Sequence, residues 1–386
     1  MLNKNNTTTK LKIAITIDWY LPGTNSGGPV SSVSNLVAAL PQFDFYILTR
    51  NTDYCSTEPY ADIAANQWLK HGENVWVYYF SEDQITKGKM TQVIQEIQAN
   101  VLYINGVYSR KFSQLPVDIG NKLGLKTIVA ARGMLSPHAL AVKPLKKLLF
   151  LSFMRWMNAY SHVHFHATSE EEAKDIRQVI GKNSVVSVIS NVARTDIDQV
   201  KEIKKEQGSV KLLSIGRIAP EKGTIHGLQA LKDIEGTVQL DLYGTCYNFE
   251  YWNQCEQLIK QLPANIQVRY NGVCPSEEVP AKLEAAHALL LPSEGENYGH
   301  AIVESFANAR PVIISEHTPW KSLTNFQAGW DVDHNDLSKV IQALVSMNNE
   351  EYQNWSKGAH VFAQKRVFET QKDLLQGYNN MFISEL

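Results

Sequence analysis

Three turns in this chain carry groups that suit a phosphorylated, hydroxyl-rich ligand. The first, Asp18-Trp19-Tyr20-Leu21-Pro22-Gly23-Thr24-Asn25-Ser26-Gly27-Gly28-Pro29, precedes a helix-forming run from Val30 to Leu40. Gly27 and Gly28 let backbone approach a ligand closely, Pro29 suits a first helical position, and the open amides of a helix start attract an anion. Taken alone, the turn reads equally as an ordinary Gly-Pro loop. It lacks G-x-G-x-x-G spacing, and the chain has no G-x-x-x-x-G-K-[ST] loop, which argues against a standard dinucleotide dehydrogenase or P-loop NTPase.

The second turn, Gly216-Arg217-Ile218-Ala219-Pro220-Glu221-Lys222-Gly223, leaves an apolar strand. Arg217 offers a planar, permanently charged fork and Lys222 a mobile point charge, a pair suited to a diphosphate, although two cations on a surface loop are common. The third begins at Pro292-Ser293-Glu294-Gly295-Glu296 and continues into a helix near Gly299. Amides of Gly299, His300 and Ala301 can take a phosphate, while Glu296 and Glu304 can take the hydroxyls of a sugar and a ribose. Glu304 falls on the helix's apolar face, where a carboxylate needs a partner. A solvated acidic loop is the plain alternative for Glu294 and Glu296.

Short apolar runs alternating with amphipathic ones must position these turns, a pattern that predicts parallel α/β construction. Strands are expected at Leu11–Ile17, Phe43–Leu48, Val75–Phe80, Val101–Ile104, Thr127–Ala131, His162–Ala167 and Val185–Ile189. The second half restarts the pattern at Val210–Ile215, Val238–Tyr243, Ile266–Tyr270, Ala288–Leu291 and Val312–Ile314. At 386 residues the chain exceeds a single ordinary core. The expected fold is α/β with two doubly wound Rossmann-like domains facing across a cleft and C-terminal helices bracing them, ligands sitting at strand carboxyl ends. The boundaries are 1–193, a polar linker 194–209, 210–365, and a C-terminal helix 366–386 crossing back to the first domain.

Apolar residues at 44% and charged residues at 20% exclude disorder, collagen-like repeats and coiled coil. Four scattered cysteines suggest neither zinc site nor disulfide framework, and no apolar run is long enough to span a membrane, so a cytoplasmic protein is expected. The net charge of -2 hides an asymmetry: residues 1–192 carry 19 Lys+Arg against 14 Asp+Glu, the remainder 18 against 25. With no nucleic-acid motif, the basic first domain favours an anionic acceptor or membrane surface. Residues 143–157 mix bases with apolar side chains and could lie peripherally on an anionic membrane, but because those apolar residues are not confined to one stripe, a core helix with a solvated basic edge is favoured. No metal site is expected. Of two Asp-x-Asp triplets, Asp196/Asp198 falls in the linker and Asp331/Asp333 precedes a helix that Asp336 would cap; His162, His164 and His166 would share one face of a strand and be satisfied within the fold.

Together, Gly27-Gly28 before a helix, Gly-Arg-x4-Lys-Gly, and Glu296 and Glu304 after Pro292-Ser293 resemble the retaining glycosyltransferases of family four, which have the GT-B fold. Arg132-Gly133-Met134-Leu135, His166-Ala167-Thr168-Ser169-Glu170 and Thr318-Pro319-Trp320 are similar to segments of members that build bacterial surface polysaccharides. The resemblance implies transfer from a nucleoside diphosphate sugar to a glycan or lipid-linked acceptor with retention, without cofactor or metal. Arg217 and Lys222 would hold the diphosphate together with Gly27, Gly28 and the Gly299–Ala301 amides, Glu304 the ribose, and Glu296 the donor sugar. Where many members carry His-Asp this chain has Arg132-Gly133, so Arg132 or His138 would take over contacts with donor sugar or acceptor. Asn191-Val192-Ala193 replaces the frequent Asn-Gly-Val-Asp, putting that loop's contacts in doubt. A sugar-nucleotide epimerase or phosphorylase of the same architecture, or a non-catalytic nucleotide-sugar binding protein, are the rival readings.

Overall fold

A computed structural model describes residues 10–194 and 201–384. Strands β1 (Lys12–Thr16), β2 (Asp44–Arg50), β3 (Trp68–Lys70), β4 (Val75–Phe80), β5 (Val101–Asn105), β6 (Lys126–Ala130), β7 (Val163–Ala167) and β8 (Val185–Val188) make one sheet, ordered β3-β4-β2-β1-β5-β6-β7-β8. Strands β9 (Ser209–Ile215), β10 (Thr237–Tyr243), β11 (Ile266–Tyr270), β12 (Ala288–Leu291), β13 (Val312–Ser315) and β14 (Gly329–Val332) make the other, ordered β11-β10-β9-β12-β13-β14. All pairings are parallel except β3 with β4. The central strands read as unbroken apolar runs because helices cover both faces; all five residues of β5 and all four of β12 are buried.

Two strands escaped the sequence reading. β3 is three residues long on the sheet edge, and β14, Gly-Trp-Asp-Val, starts on a glycine and carries an acid, both unfavourable for a strand.

The chain divides at Val192/Ala193, and residues from Leu374 onward return to the first unit. There the helix Gln371–Ile383 buries Tyr378, Met381 and Phe382, and Tyr378 Oη donates to Ser190 O at 3.0 Å. Residues 201–208, expected as linker, pack on the second unit. Lys205 is buried, its ammonium donates to the carbonyls of Glu206, Val345 and Met347, and burial pushes its pKa down to about 8. Asp196 and Asp198 lie outside the described residues.

Each sheet reverses its strand order once. In the first the reversal falls between β1 and β5, in the second between β9 and β12. Loops leaving the carboxyl ends of strands at such a point splay apart and leave a crevice, where ligands of open α/β sheets bind. The three turns singled out from sequence follow β1, β9 and β12; the loop after β5 completes the set.

Candidate functional site

In the second unit the turns after β9 and β12 are tied together. Glycine makes this possible at Gly223, whose φ is 66°: an added Cβ would fall 1.9 Å from Pro292 O. The Glu294 amide donates to Glu221 O at 3.0 Å, linking the two loops by backbone. Lys222 Nζ then meets Glu296 Oε1 at 2.5 Å, and Ser293 Oγ donates to the same oxygen at 2.8 Å. Glu296 is only 10% exposed, so it is not part of a solvated acidic loop. Arg217 pairs with Glu221 at 3.1 Å and stands 5.9 Å from the Tyr247 ring centre.

Gly299 takes a left-handed conformation with φ 79° and caps the helix His300–Ala307, which puts the amide groups of His300 and Ala301 in its first turn and Glu304, half-buried, in its second. Tyr298 is buried ahead of it, its carbonyl accepting from Trp320 Nε1 at 2.6 Å, which anchors the helix start.

In the first unit Gly27, with φ 67°, caps the helix Gly28–Ala39, and an added Cβ at Gly27 or Gly28 would meet open space. Packing therefore does not demand glycine at this helix start, and the backbone there is accessible. Arg132 is drawn into the fold instead. Its Nε donates to Asn105 Oδ1 at 2.7 Å, Nη1 to Asn191 Oδ1 at 2.5 Å and Nη2 to Tyr103 Oη at 3.1 Å, which makes it a positioning residue. Tyr103 Oη also pairs with His166 Nδ1 at 2.7 Å, and His166 Nε2 with Ile189 O at 2.7 Å. Burial lowers the His166 pKa to about 3, so the ring is neutral. His164 pairs with Ser187 Oγ, so it and His166 serve the fold as expected, whereas His162 lies ahead of β7 and is exposed rather than satisfied within the fold. His138 is exposed on the short helix Pro137–Ala141.

A cavity of about 260 Å³ opens in the first unit where β1 and β5 diverge, a feature the sequence reading missed. Asp18, Tyr108, Ser109, Ser113, Met134 and Lys147 line it. Asp18 Oδ1 accepts from Ser109 Oγ at 2.7 Å and faces Arg50 at 3.4 Å, yet burial raises its pKa above the usual carboxylate value. Tyr108 Oη and Ser113 Oγ are buried without a hydrogen-bond partner, a state a polar ligand would relieve. Asp18 at the end of an apolar strand was the available signal; the hydroxyls are scattered and carry none.

Two expectations are corrected. Asp336 makes no side-chain cap; Asp333 accepts from Asn335 N at 2.9 Å, and Asp331 accepts from the amides of Ser322 and Leu323. The segment 143–157 is not a core helix. In the helix Pro144–Trp156 only Leu151 and Met154 are buried, whereas Leu145, Leu149 and Trp156 are 74%, 71% and 78% exposed, with Leu148 and Phe153 beside them. Its apolar side chains outnumber the positions its neighbours cover.

Cations, helix amides and carboxylates thus gather at the switch point of a parallel sheet in an α/β protein of two Rossmann-like units. Residues 195–361 match the family described as glycosyl transferases group 1. Over 174 residues it is 26% identical to the putative colanic acid biosynthesis glycosyltransferase WcaL of Escherichia coli K12, a match covering 41% of this chain and 41% of that protein. Similarity to the O-antigen chain mannosyltransferase B of Escherichia coli is 25% over 169 residues, 43% of this chain and 44% of the relative. The matches thus span less than half the length of these relatives. The structure of Anabaena Alr3699/HepE in complex with UDP and glucose superposes with a TM-score of 0.72 at 15% identity, over 96% of this chain and all of that one. The fold is the GT-B fold of such neighbours. Among the described residues no helix is long and apolar enough to cross a membrane.

Proposed function

We propose that the protein is a glycosyltransferase that moves a sugar from a nucleoside diphosphate sugar to a glycan or lipid-linked acceptor, in bacterial surface polysaccharide synthesis and with retention. The observation that carries this reading is the Lys222–Glu296 pair joining the two switch-point turns at 2.5 Å. A diphosphate competes for Lys222 with two negative oxygens in place of one, and Arg217 adds a forked donor. As Lys222 turns to the phosphates, Glu296 is released to accept hydroxyls of the donor sugar, and Glu304 to accept those of the ribose. The cations and the Gly299–Ala301 amides stabilise charge building on the departing diphosphate, and that electrostatic term needs no metal or other cofactor. A diphosphate oxygen then takes the acceptor's proton on the face from which it leaves, which accounts for retention without a covalent intermediate.

The acceptor sugar fits the first unit's cavity, where Asp18, Ser109 and Tyr108 offer oxygens to its hydroxyls and Lys147 a positive charge. The helix Pro144–Trp156 would hold the enzyme peripherally on the inner face of an anionic membrane. Burying each of its exposed Leu, Phe or Trp side chains gains about 1.5–3 kcal/mol, and each nearby base about 1 kcal/mol. Residues 143–157 contain Lys143, Lys146, Lys147 and Arg155 and no acid. That complementarity favours a lipid-linked acceptor.

Thermal unfolding with UDP, GDP and ADP and their sugars tests the donor class. One nucleotide series is expected to raise the melting temperature; no rise with any nucleotide contradicts the reading.

A further inference from the structure

Two side chains of the cavity between β1 and β5 are held by their neighbours so that one polar atom of each stays open. Asp18 stands two residues past β1. Its backbone carbonyl accepts from Arg50 N and Thr49 Oγ1, both at 3.3 Å. Its side chain accepts from Ser109 Oγ at 2.7 Å and faces Arg50 Nη2 at 3.4 Å, and both contacts fall on Oδ1. That leaves Oδ2 to a ligand, as an acceptor on a carboxylate whose backbone and other oxygen are both pinned.

Asn105 ends β5 and is buried. A neighbour that can only donate fixes its amide: Arg132 Nε lies 2.7 Å away, so the atom facing it is Oδ1 and the donor Nδ2 takes the opposite fork. Arg132 is itself locked by Asn191 and Tyr103, which closes off the flip that would exchange donor for acceptor. Gly106 follows with φ 102°, and an added Cβ there would fall 3.1 Å from Met134 Cε and 3.6 Å from Ser113 Oγ. Glycine thus keeps this wall of the cavity open, beside a buried serine hydroxyl that has no hydrogen-bond partner.

A hydroxyl that donates to a carboxylate while accepting from an amide is polarised in the same sense by both bonds. At about 260 Å³ the cavity is smaller than the about 300–1,000 Å³ of pockets for drug-sized ligands, which suits one sugar residue. This cavity takes the acceptor in the function proposed above, and on that basis we propose that Asp18 and Asn105 read one hydroxyl of a single uncharged pyranose at the acceptor's end. Asp18 Oδ2 accepts from that hydroxyl and Asn105 Nδ2 donates to it, while Arg132 is the positioning residue that sets which way the Asn105 amide faces. An acidic sugar would bring a second carboxylate against Asp18, and Lys147 gives its ammonium to Ala139 O.

The full-length protein is titrated with the methyl glycosides of glucose, galactose, mannose and N-acetylglucosamine, and with methyl glucuronide as the charged control, followed by saturation-transfer NMR. A neutral glycoside should bind saturably and more tightly than the glucuronide. Asn105→Asp keeps an oxygen toward Arg132 but puts a second acceptor where the donor stood, and affinity should fall about 10- to 100-fold. Asp18→Asn should weaken binding likewise, and Asp18→Asn/Asn105→Asp, which exchanges the two roles, should recover most of the loss. A role confined to the fold gives no such recovery. Melting temperatures establish native folding, and either single variant suffices if the other does not fold. No saturable binding of a neutral glycoside, tighter binding of the glucuronide, unchanged binding in a folded single variant, or no recovery in the double variant overturns the proposal. UDP, GDP and ADP are titrated into the same samples: nucleotide binding without sugar binding removes the acceptor pair alone, whereas no nucleotide binding removes the glycosyltransferase reading beneath it.

Discussion

Arg132 in the first unit and Lys222 in the second both stand just past the carboxyl end of a sheet strand, and both are held by their own chain, but their partners differ in kind. Arg132 meets two amide oxygens and a phenol, and the phenol leads on to a neutral buried histidine and a backbone carbonyl. Nothing in that chain of bonds gains by exchange, because any replacement would leave several buried groups unpaired. Lys222 meets one carboxylate carried by a separate loop. A diphosphate can replace that carboxylate on the ammonium while the carboxylate turns to a sugar. Saturated neutral partners tie Arg132 into the fold, whereas Lys222 with its one charged partner is the cation to which the proposed function assigns the diphosphate.

The sharpest way to break this contrast is Glu296→Gln. Initial rates of sugar transfer should fall about 10²–10³-fold, the scale of losing one group that stabilises a transition state, while nucleoside diphosphate binding persists. Equal loss of binding and turnover would make Glu296 structural and erase the difference from Arg132. Arg132→Met should do the reverse. Each of the polar groups of Asn105, Asn191 and Tyr103 left unpaired costs about 1–3 kcal/mol, read as a melting temperature lower by about 2–4 °C per kcal/mol. Nucleotide affinity measured on the folded variant should be unchanged.

A second contrast lies within the first unit, between its closed Arg132 network and its uncovered helix. Flotation with anionic liposomes should recover the wild-type protein, and a Lys143→Glu/Lys146→Glu/Trp156→Ala variant should stay with the unbound fraction. Lys147 is left intact because its ammonium donates to Ala139 O at 2.5 Å and stands over the Tyr108 ring. Equal flotation of both proteins would remove the membrane from the account.

The smallest expected effect concerns what the units share. Each buries a neutral histidine, His166 at about 3 and His287 at about 4, against an ordinary 6.5. Below pH 6.5 the unfolded chain binds protons that the folded chain refuses, so stability is complete above that value and declines as pH falls toward 4. Melting temperature should therefore drop from pH 7 to pH 5; a flat profile would mean that the two rings protonate freely in the fold.

Much of this was legible in the sequence because parallel sheets buried on both faces leave unbroken apolar runs, and glycines with charges after such runs mark the turns where backbone and ligand approach. β3 and β14 were hidden by shortness and by composition. Long-range pairing was hidden more deeply. The Asp18 cavity draws on residues from position 18 to 147, and Asp18 and Asn105 share it only because β1 lies beside β5. Apolar content argued for burying residues 143–157, but in the helix Pro144–Trp156 the tertiary structure buries Leu151 and Met154 and covers Phe150 only in part.

The claim that the second unit's switch-point loops hold a nucleoside diphosphate is tested most directly by calorimetric titration of UDP, GDP and ADP into wild type, Lys222→Ala and Arg132→Met. Loss of one charge-assisted contact is worth about 1.5–3 kcal/mol, so the preferred nucleotide should bind Lys222→Ala about 10- to 100-fold more weakly and Arg132→Met as tightly as wild type. Binding that is indifferent to Lys222, or lost with Arg132 in a folded protein, would contradict the account.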